Sequence, residues 1–176
     1  MMKFRLLNDL HNDNSKYEIP AHTDDKDTVL LVAGDIHEKA ATGLYLAELT
    51  NRFKHVVAVL GNHDYWGLSL QETHVRNREV VIEQTGAWPA NLHILDNSVV
   101  EFDGYVVLGS TLWVDFKDHD PVVMWEAKHG QYPSRDYKRI KYGSVRYKIA
   151  YRGLRPSDLY HQHIKSVKWL DTMLET

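Results

Sequence analysis

Three times within the first 64 residues a short aliphatic run ends abruptly in a cluster of Gly, Asn, Asp and His. Phe4 to Leu7 leads into Asn8-Asp9-Leu10-His11, Val29 to Ala33 into Gly34-Asp35-Ile36-His37-Glu38, and Val56 to Leu60 into Gly61-Asn62-His63-Asp64. Asp9 and Asp35 are 26 residues apart, and Asp35 and Asn62 are 27 apart, about the length of one βαβ unit. Parallel neighbouring strands would deliver all three clusters to one carboxyl edge, where open α/β sheets hold their ligands. Carboxylate, imidazole and amide oxygen converging on one crevice is divalent-metal chemistry.

The rest of the chain supports this frame. Phe4 to Leu7, an apolar run without alternation, reads as a strand buried on both faces. Thr28 to Ala33 and His55 to Leu60 read as the second and third strands. Between them Lys39 to Lys54 carries Leu46, Leu49 and Phe53 at helical spacing, a crossover helix. Ser69 and Glu72 match a capping box, so a helix is expected from there to about Gln84, stopped by Gly86. Facing the crevice, its free amides would favour a bound phosphate. Leu92 to Leu95, Ser98 to Phe102 and Tyr105 to Leu108 read as three short strands, with Asp103-Gly104 as a two-residue hairpin turn. Leu159 to Glu175 is the last helix.

The clusters Asp9-x-His11, Gly34-Asp35-x-x-Glu38 and Gly61-Asn62-His63-Asp64 resemble, in order and spacing, the first three signature motifs of the calcineurin-like metallophosphoesterases. Gly109-Ser110-Thr111-Leu112-Trp113, Asp136-Tyr137-x-x-Ile140 and Pro156-x-Asp158 are similar to segments of a bacterial branch of that superfamily. The resemblance implies a fold and a chemistry. The fold would be an α/β sandwich of mixed β-sheets flanked by helices. Asp9, His11, Asp35 and Asn62 would be metal ligands, with Asp35 bridging two divalent ions (Mn foremost, with Fe, Zn or Ni as alternatives). His63 would be the catalytic histidine, and Asp64 would orient its ring. Glu38 either fills the last position of its motif or caps the following helix, and His37 lies off the ligand pattern. The later family motifs, a strand-end histidine and Gly-His-x-His, have no counterpart here. The resemblance therefore implies one domain over residues 1–176, incomplete at its C-terminus, covering about two-thirds of the family's length. His161-Gln162-His163 has the H-x-H spacing, but two residues apart on a helix point about 200° apart; this pair reads as helix surface.

Composition narrows the setting. At 43% apolar and 26% charged over 176 residues the chain is typical of one globular domain. There is no apolar stretch near the roughly 20 residues of a membrane span, and the start lacks the apolar core of a signal peptide. Absence of cysteine rules out thiolate chemistry and disulfides and fits a cytoplasmic protein. Residues 126 to 155 hold nine Lys or Arg against Glu126 and Asp136, a net of +7 in a chain of net −3. Five tyrosines are interleaved with them, within an insert of about 113–157. This strip is either an electropositive lid that gathers phosphates or a nucleic-acid strand, or a solvated insert whose tyrosines pack its own core.

The expected function is hydrolysis of a phosphate mono- or diester by metal-activated water. The rivals are a catalytically impaired scaffold for protein binding, and a nucleic-acid-binding protein or nuclease using the basic insert. Unpaired strand edges favour a homo-oligomer or a completing C-terminal segment supplied from elsewhere.

Overall fold

A computed structural model describes residues 2–15 and 17–175. Four strands, β1 (Lys3–Leu7), β2 (Thr28–Ala33), β3 (His55–Val59) and β4 (Leu92–Leu95), form one sheet in sequential order, all parallel. Parallel pairing forces a crossover between successive strands. Two of the crossovers are helical, α1 (Ala41–Leu49) and α2 (Thr73–Thr85). Because alternate strand residues face opposite sides, Leu30, Val32, Val56, Ala58 and Leu92 pack with Leu46, Phe53 and Val81 beneath the helices. Val29, Val57 and Leu95 meet Val100, Phe102 and Val107 of an antiparallel hairpin on the other face. That hairpin is β5 (Ser98–Phe102) and β6 (Tyr105–Gly109). Asp103 and Gly104 close it with φ of 50° and 80°, the two left-handed positions of a type I′ turn. The expected α/β sandwich thus takes the form of a parallel sheet with helices on one face and a two-stranded layer on the other.

The chain after β6 builds a separate wall: α3 (Phe116–His119, a single turn in left-handed backbone), α4 (Pro121–His129), α5 (Asp136–Arg139), the hairpin β7 (Lys141–Ser144) with β8 (Ile149–Gly153), and α6 (Pro156–Leu174). Its core is Phe116, Ile140, Leu154 and Leu159 packed against Leu60, Tyr65 and Trp66. The tyrosines do not form it. Tyr137 packs at its margin, while Tyr132, Tyr147 and Tyr151 are more than half exposed and Tyr142 lies 3.9 Å beneath the Arg152 guanidinium. Three of the insert's arginines are paired with acids: Arg139 with Glu38, Arg146 with Glu79, Arg152 with Asp158. No helix among the described residues is long and apolar enough to cross a membrane.

Two local expectations are corrected. β1 is not buried on both faces: it is the outer strand of the sheet, with Phe4 41% and Leu6 66% exposed, and an apolar run alone cannot tell an outer strand from an inner one. Ser69 and Glu72 form no capping box. Glu72 accepts hydrogen bonds from Ser144 and Tyr151 of the insert instead (both 2.6 Å), so the expected free amine end of α2 lies under β7 and β8. Gly86 does end the helix, in left-handed backbone.

Asp25 anchors the long β1–β2 connection. It is buried, pairs with Arg5 at 2.9 Å and Arg52 at 2.5 Å, and accepts the His22 N–H. Burial pushes its carboxyl up, but the His22 amide and the two guanidiniums outweigh that and hold it below the usual range. A depressed folded-state value means the stabilisation is present above the unfolded pKa and is lost as pH falls through the folded one. Asp25→Asn is therefore expected to cost about 1–3 kcal/mol at pH 7 by leaving two guanidiniums unpaired. The difference from wild type should shrink below about pH 4. Urea unfolding at pH 7 and pH 3 checks both; an equal deficit at the two values would refute the assignment.

Candidate metal centre

The centre forms where the pairing of β1 with β2 runs on past the strand ends. The amides of Asp9, His11 and Asn12 donate to the carbonyls of Gly34, Asp35 and Ile36 at 3.0–3.1 Å. Asp9, His11 and Asp35 adopt left-handed backbone, φ 52°, 43° and 51°, which Asp and His tolerate better than most residues. The three side chains meet: one donor atom from each lies within 4.8 Å of the others. His11 Nε2 is 3.8 Å from Asp9 Oδ1 and 3.9 Å from Asp35 Oδ2.

The loop after β3 is tied to the loop after β2 by two carboxylates. Asp35 Oδ1 accepts the His63 N–H at 3.0 Å. Asp64, wholly buried, accepts from the amides of Ile36, His37 and Gly61 and from the Thr42 hydroxyl, at 2.6–3.1 Å. Burial pushes the Asp64 carboxyl up against those donors, with a net upward direction. Its oxygens are spent on the loop, so the expectation that Asp64 orients the His63 ring is not met. The two loops also touch through glycine. A Cβ on Gly34 would stand 2.8 Å from Gly61 N, and one on Gly61 would stand 2.1 Å from Asp35 Oδ1.

His63 is steadied by aromatic contacts. Its ring stacks on Trp66 with centroids 3.6 Å apart and meets His11 edge-on at 4.5 Å. His11, Asp13 and His63 form a second group of donor atoms within 4.8 Å of one another. His11 Nδ1, His63 Nδ1 and Asp13 Oδ1 are buried without a hydrogen-bond partner. Buried polar atoms without a partner call for an explanation. Here the three belong to residues that gather in one place, and all three are atom types that ligate divalent cations.

The insert closes the far side. Asp136 Oδ1 accepts from Asn62 Nδ2 at 2.9 Å and from Trp66 Nε1 at 2.7 Å. A carboxylate only accepts, so Asn62 gives it the amide nitrogen and keeps its carbonyl oxygen free. Arg139 lies 4.8 Å over the Trp66 ring and binds both oxygens of Glu38 at 2.7 and 2.8 Å. Glu38 is thereby an anchor for the insert, neither a helix cap nor a member of the donor groups. His161 is exposed, and His163 meets the Leu112 carbonyl at 3.0 Å. Neither joins the centre. Asp13, Trp66 and Arg139 escaped the motif reading, and Asp136 was named in a motif without a role. Asp13 left a trace as the next alternate residue after Asp9 and His11.

The family model of the calcineurin-like phosphoesterases matches residues 2–166. Among solved structures, a phosphopantetheinyl hydrolase from Mycobacterium tuberculosis is 19% identical over 76% of this chain, with a TM-score of 0.48. The chain spans 57% of that protein's length. No curated protein matches it.

Proposed function

We propose, from the premise that this chain belongs to the calcineurin-like phosphoesterase family, that it hydrolyses a phosphate mono- or diester with the help of divalent metal ions. The observation that carries the reading is the convergence of Asp9, His11 and Asp35 beside two buried imidazole nitrogens that have no hydrogen-bond partner. The donors fit such an ion, being carboxylate oxygens and imidazole nitrogens gathered on two adjoining loops. When bound, a divalent cation supplies the positive charge and Lewis acidity that water's attack on phosphorus calls for, with Mn, Fe, Zn or Ni as candidates.

On this reading Asp9, His11, Asp35 and the Asn62 carbonyl would hold metal, in a single-domain protein of the cytoplasm. The chain's own groups supply the rest. His63, held by the Trp66 stack, stands ready to protonate the leaving oxygen or to hydrogen-bond a phosphoryl oxygen. Arg139, 4.8 Å from the Trp66 ring and paired with both oxygens of Glu38, holds the insert against the loop that carries His63. Asp136 fixes which end of Asn62 faces the centre.

The test is metal-stripped protein titrated with Mn²⁺ and assayed on p-nitrophenyl phosphate and bis-p-nitrophenyl phosphate. Turnover is expected to need the metal, to vanish with chelator and to return on re-addition. Absence of turnover with every first-row divalent metal would overturn the reading in favour of a scaffold.

A further inference from the structure

A cavity of about 540 Å³ opens beside Asn62, between the centre and the insert. Its walls are Trp113, Phe116, Val123, Ala127, Tyr137 and Leu159. Phe116 and Leu159 are each 3% exposed and belong to the core under the insert, so the back wall is built from packed side chains. Three of its polar residues, Asn62, Ser134 and Asp136, are already bonded to one another: Ser134 Oγ donates to Asp136 Oδ2 at 2.8 Å, and Asn62 donates to Asp136 Oδ1. Among the described residues, no Lys or Arg lines the cavity.

The cavity is continuous with the centre through the backbone. Asn62 lies between Gly61, where an added Cβ would stand 2.1 Å from Asp35 Oδ1, and His63, whose amide donates to that carboxylate. The Thr111 hydroxyl donates to the Leu60 carbonyl at 2.6 Å, fixing the start of the insert to the end of β3. A phosphoryl group at the centre would therefore have its ester substituent beside an apolar, aromatic chamber of ligand size. An ionised or heavily hydrated substituent would lose its water there and face Asp136 with no cation to meet it.

We propose that this cavity is the subsite for the leaving group of the substrate, and that it selects phosphate esters of an uncharged aryl or branched alkyl alcohol over those of small polar or multiply phosphorylated ones. The proposal rests on the hydrolase reading above. In the reaction the phosphorus–oxygen ester bond breaks, a water oxygen joins phosphorus, and the departing alkoxide takes up a proton. The neutral alcohol then remains in the chamber until it diffuses out.

The experiment has a binding arm and a turnover arm. In the first, 1-naphthol is titrated calorimetrically into wild type, Ala127→Trp and Val123→Phe, each checked by circular dichroism for retained fold. Wild type is expected to bind it and both filled variants to bind at least about 10-fold more weakly. In the second, kcat/KM is compared for 1-naphthyl phosphate and methyl phosphate. The filled variants are expected to lose at least about 10-fold more on the naphthyl ester than on the methyl ester. Unchanged naphthol affinity in both variants, or none in wild type, overturns the cavity proposal. Turnover whose naphthyl-to-methyl ratio survives both substitutions also overturns it and leaves the hydrolase reading intact. Absence of turnover on either ester, with naphthol still bound in a cavity-dependent way, overturns the hydrolase reading and with it the assignment to a leaving group.

Discussion

Asp35→Asn is expected to cut Mn²⁺-dependent phosphoester hydrolysis by about 100-fold or more while leaving the metal-free fold intact. Loss of an outer-shell partner alone typically costs 10–100-fold in metal affinity or activity, and Asp35 stands closer than that. Its Oδ2 is 3.9 Å from His11 Nε2 and its Oδ1 takes the His63 amide at 3.0 Å. An amide retains one oxygen, which can keep the His63 N–H or face His11 but not both. Stability should move the other way. Asp35, Asp9 and Asp64 crowd negative charge into adjoining loops, and Asp35 already pushes Asp64 upward. Removing one charge should leave the metal-free protein as stable as wild type or slightly more so. Calorimetric Mn²⁺ titration, kcat/KM and thermal unfolding in chelator check the three statements separately. Wild-type metal affinity and turnover in this variant would remove Asp35 from the centre.

Gly61→Ala should damage both fold and site. The added methyl carbon would stand 2.1 Å from Asp35 Oδ1, 2.4 Å from Asp35 N and 2.9 Å from Asp35 Cγ. A flexible side chain could swing clear, but the Asp35 amide belongs to a loop fixed by the Asp9, His11 and Asp64 hydrogen bonds. Either the two loops separate or the carboxylate leaves its position. Forced overpacking of this kind costs roughly 1–3 kcal/mol, and metal affinity should fall with it. Gly153→Ala is the matched control, since a Cβ there meets nothing within 4 Å; it should change stability by less than about 0.5 kcal/mol. Urea unfolding and Mn²⁺ titration of the two variants should diverge. Equal behaviour would show that the loops are not held as described.

The parts that were legible in the sequence are those governed by local pattern. β-branched and aliphatic runs marked β1 to β6 to within a residue or two but left β7 and β8 of the insert unread, the regular spacing of the polar clusters implied one edge for them, and Asp103-Gly104 and Gly86 marked their turns because few residues tolerate left-handed backbone. What escaped depended on partners far away in the chain. Asp136 finds Asn62 across 74 residues, Glu38 finds Arg139 across 101 and Glu72 finds Tyr151 across 79, and no periodicity encodes such pairings. Asp64 was assigned by position beside His63, yet four donors from neighbouring loops claim its oxygens. The exposure of Phe4 and Leu6 depends on what lies beyond β1, which the strand itself does not record. The tyrosines failed for another reason: an amphipathic ring lies comfortably at a surface, so its frequency says little about a core.

The contact between Gly34 and Gly61 divides the molecule into a part that can change and a part that cannot. Where the two backbones come this close, neither glycine can take a side chain without moving the loop that carries Asp35. The wall opposite is carried by α4, α5 and α6, which share a core with Leu60, Tyr65 and Trp66 but touch the Asp35 and Asn62 loops through side chains such as Asp136 and Arg139. Residues such as Val123, Ala127 and Tyr137 can be exchanged there without disturbing the loops that gather the ligands. On the leaving-group proposal, a lineage or an engineer could re-tailor that chamber one helix at a time while the floor beneath it stays put.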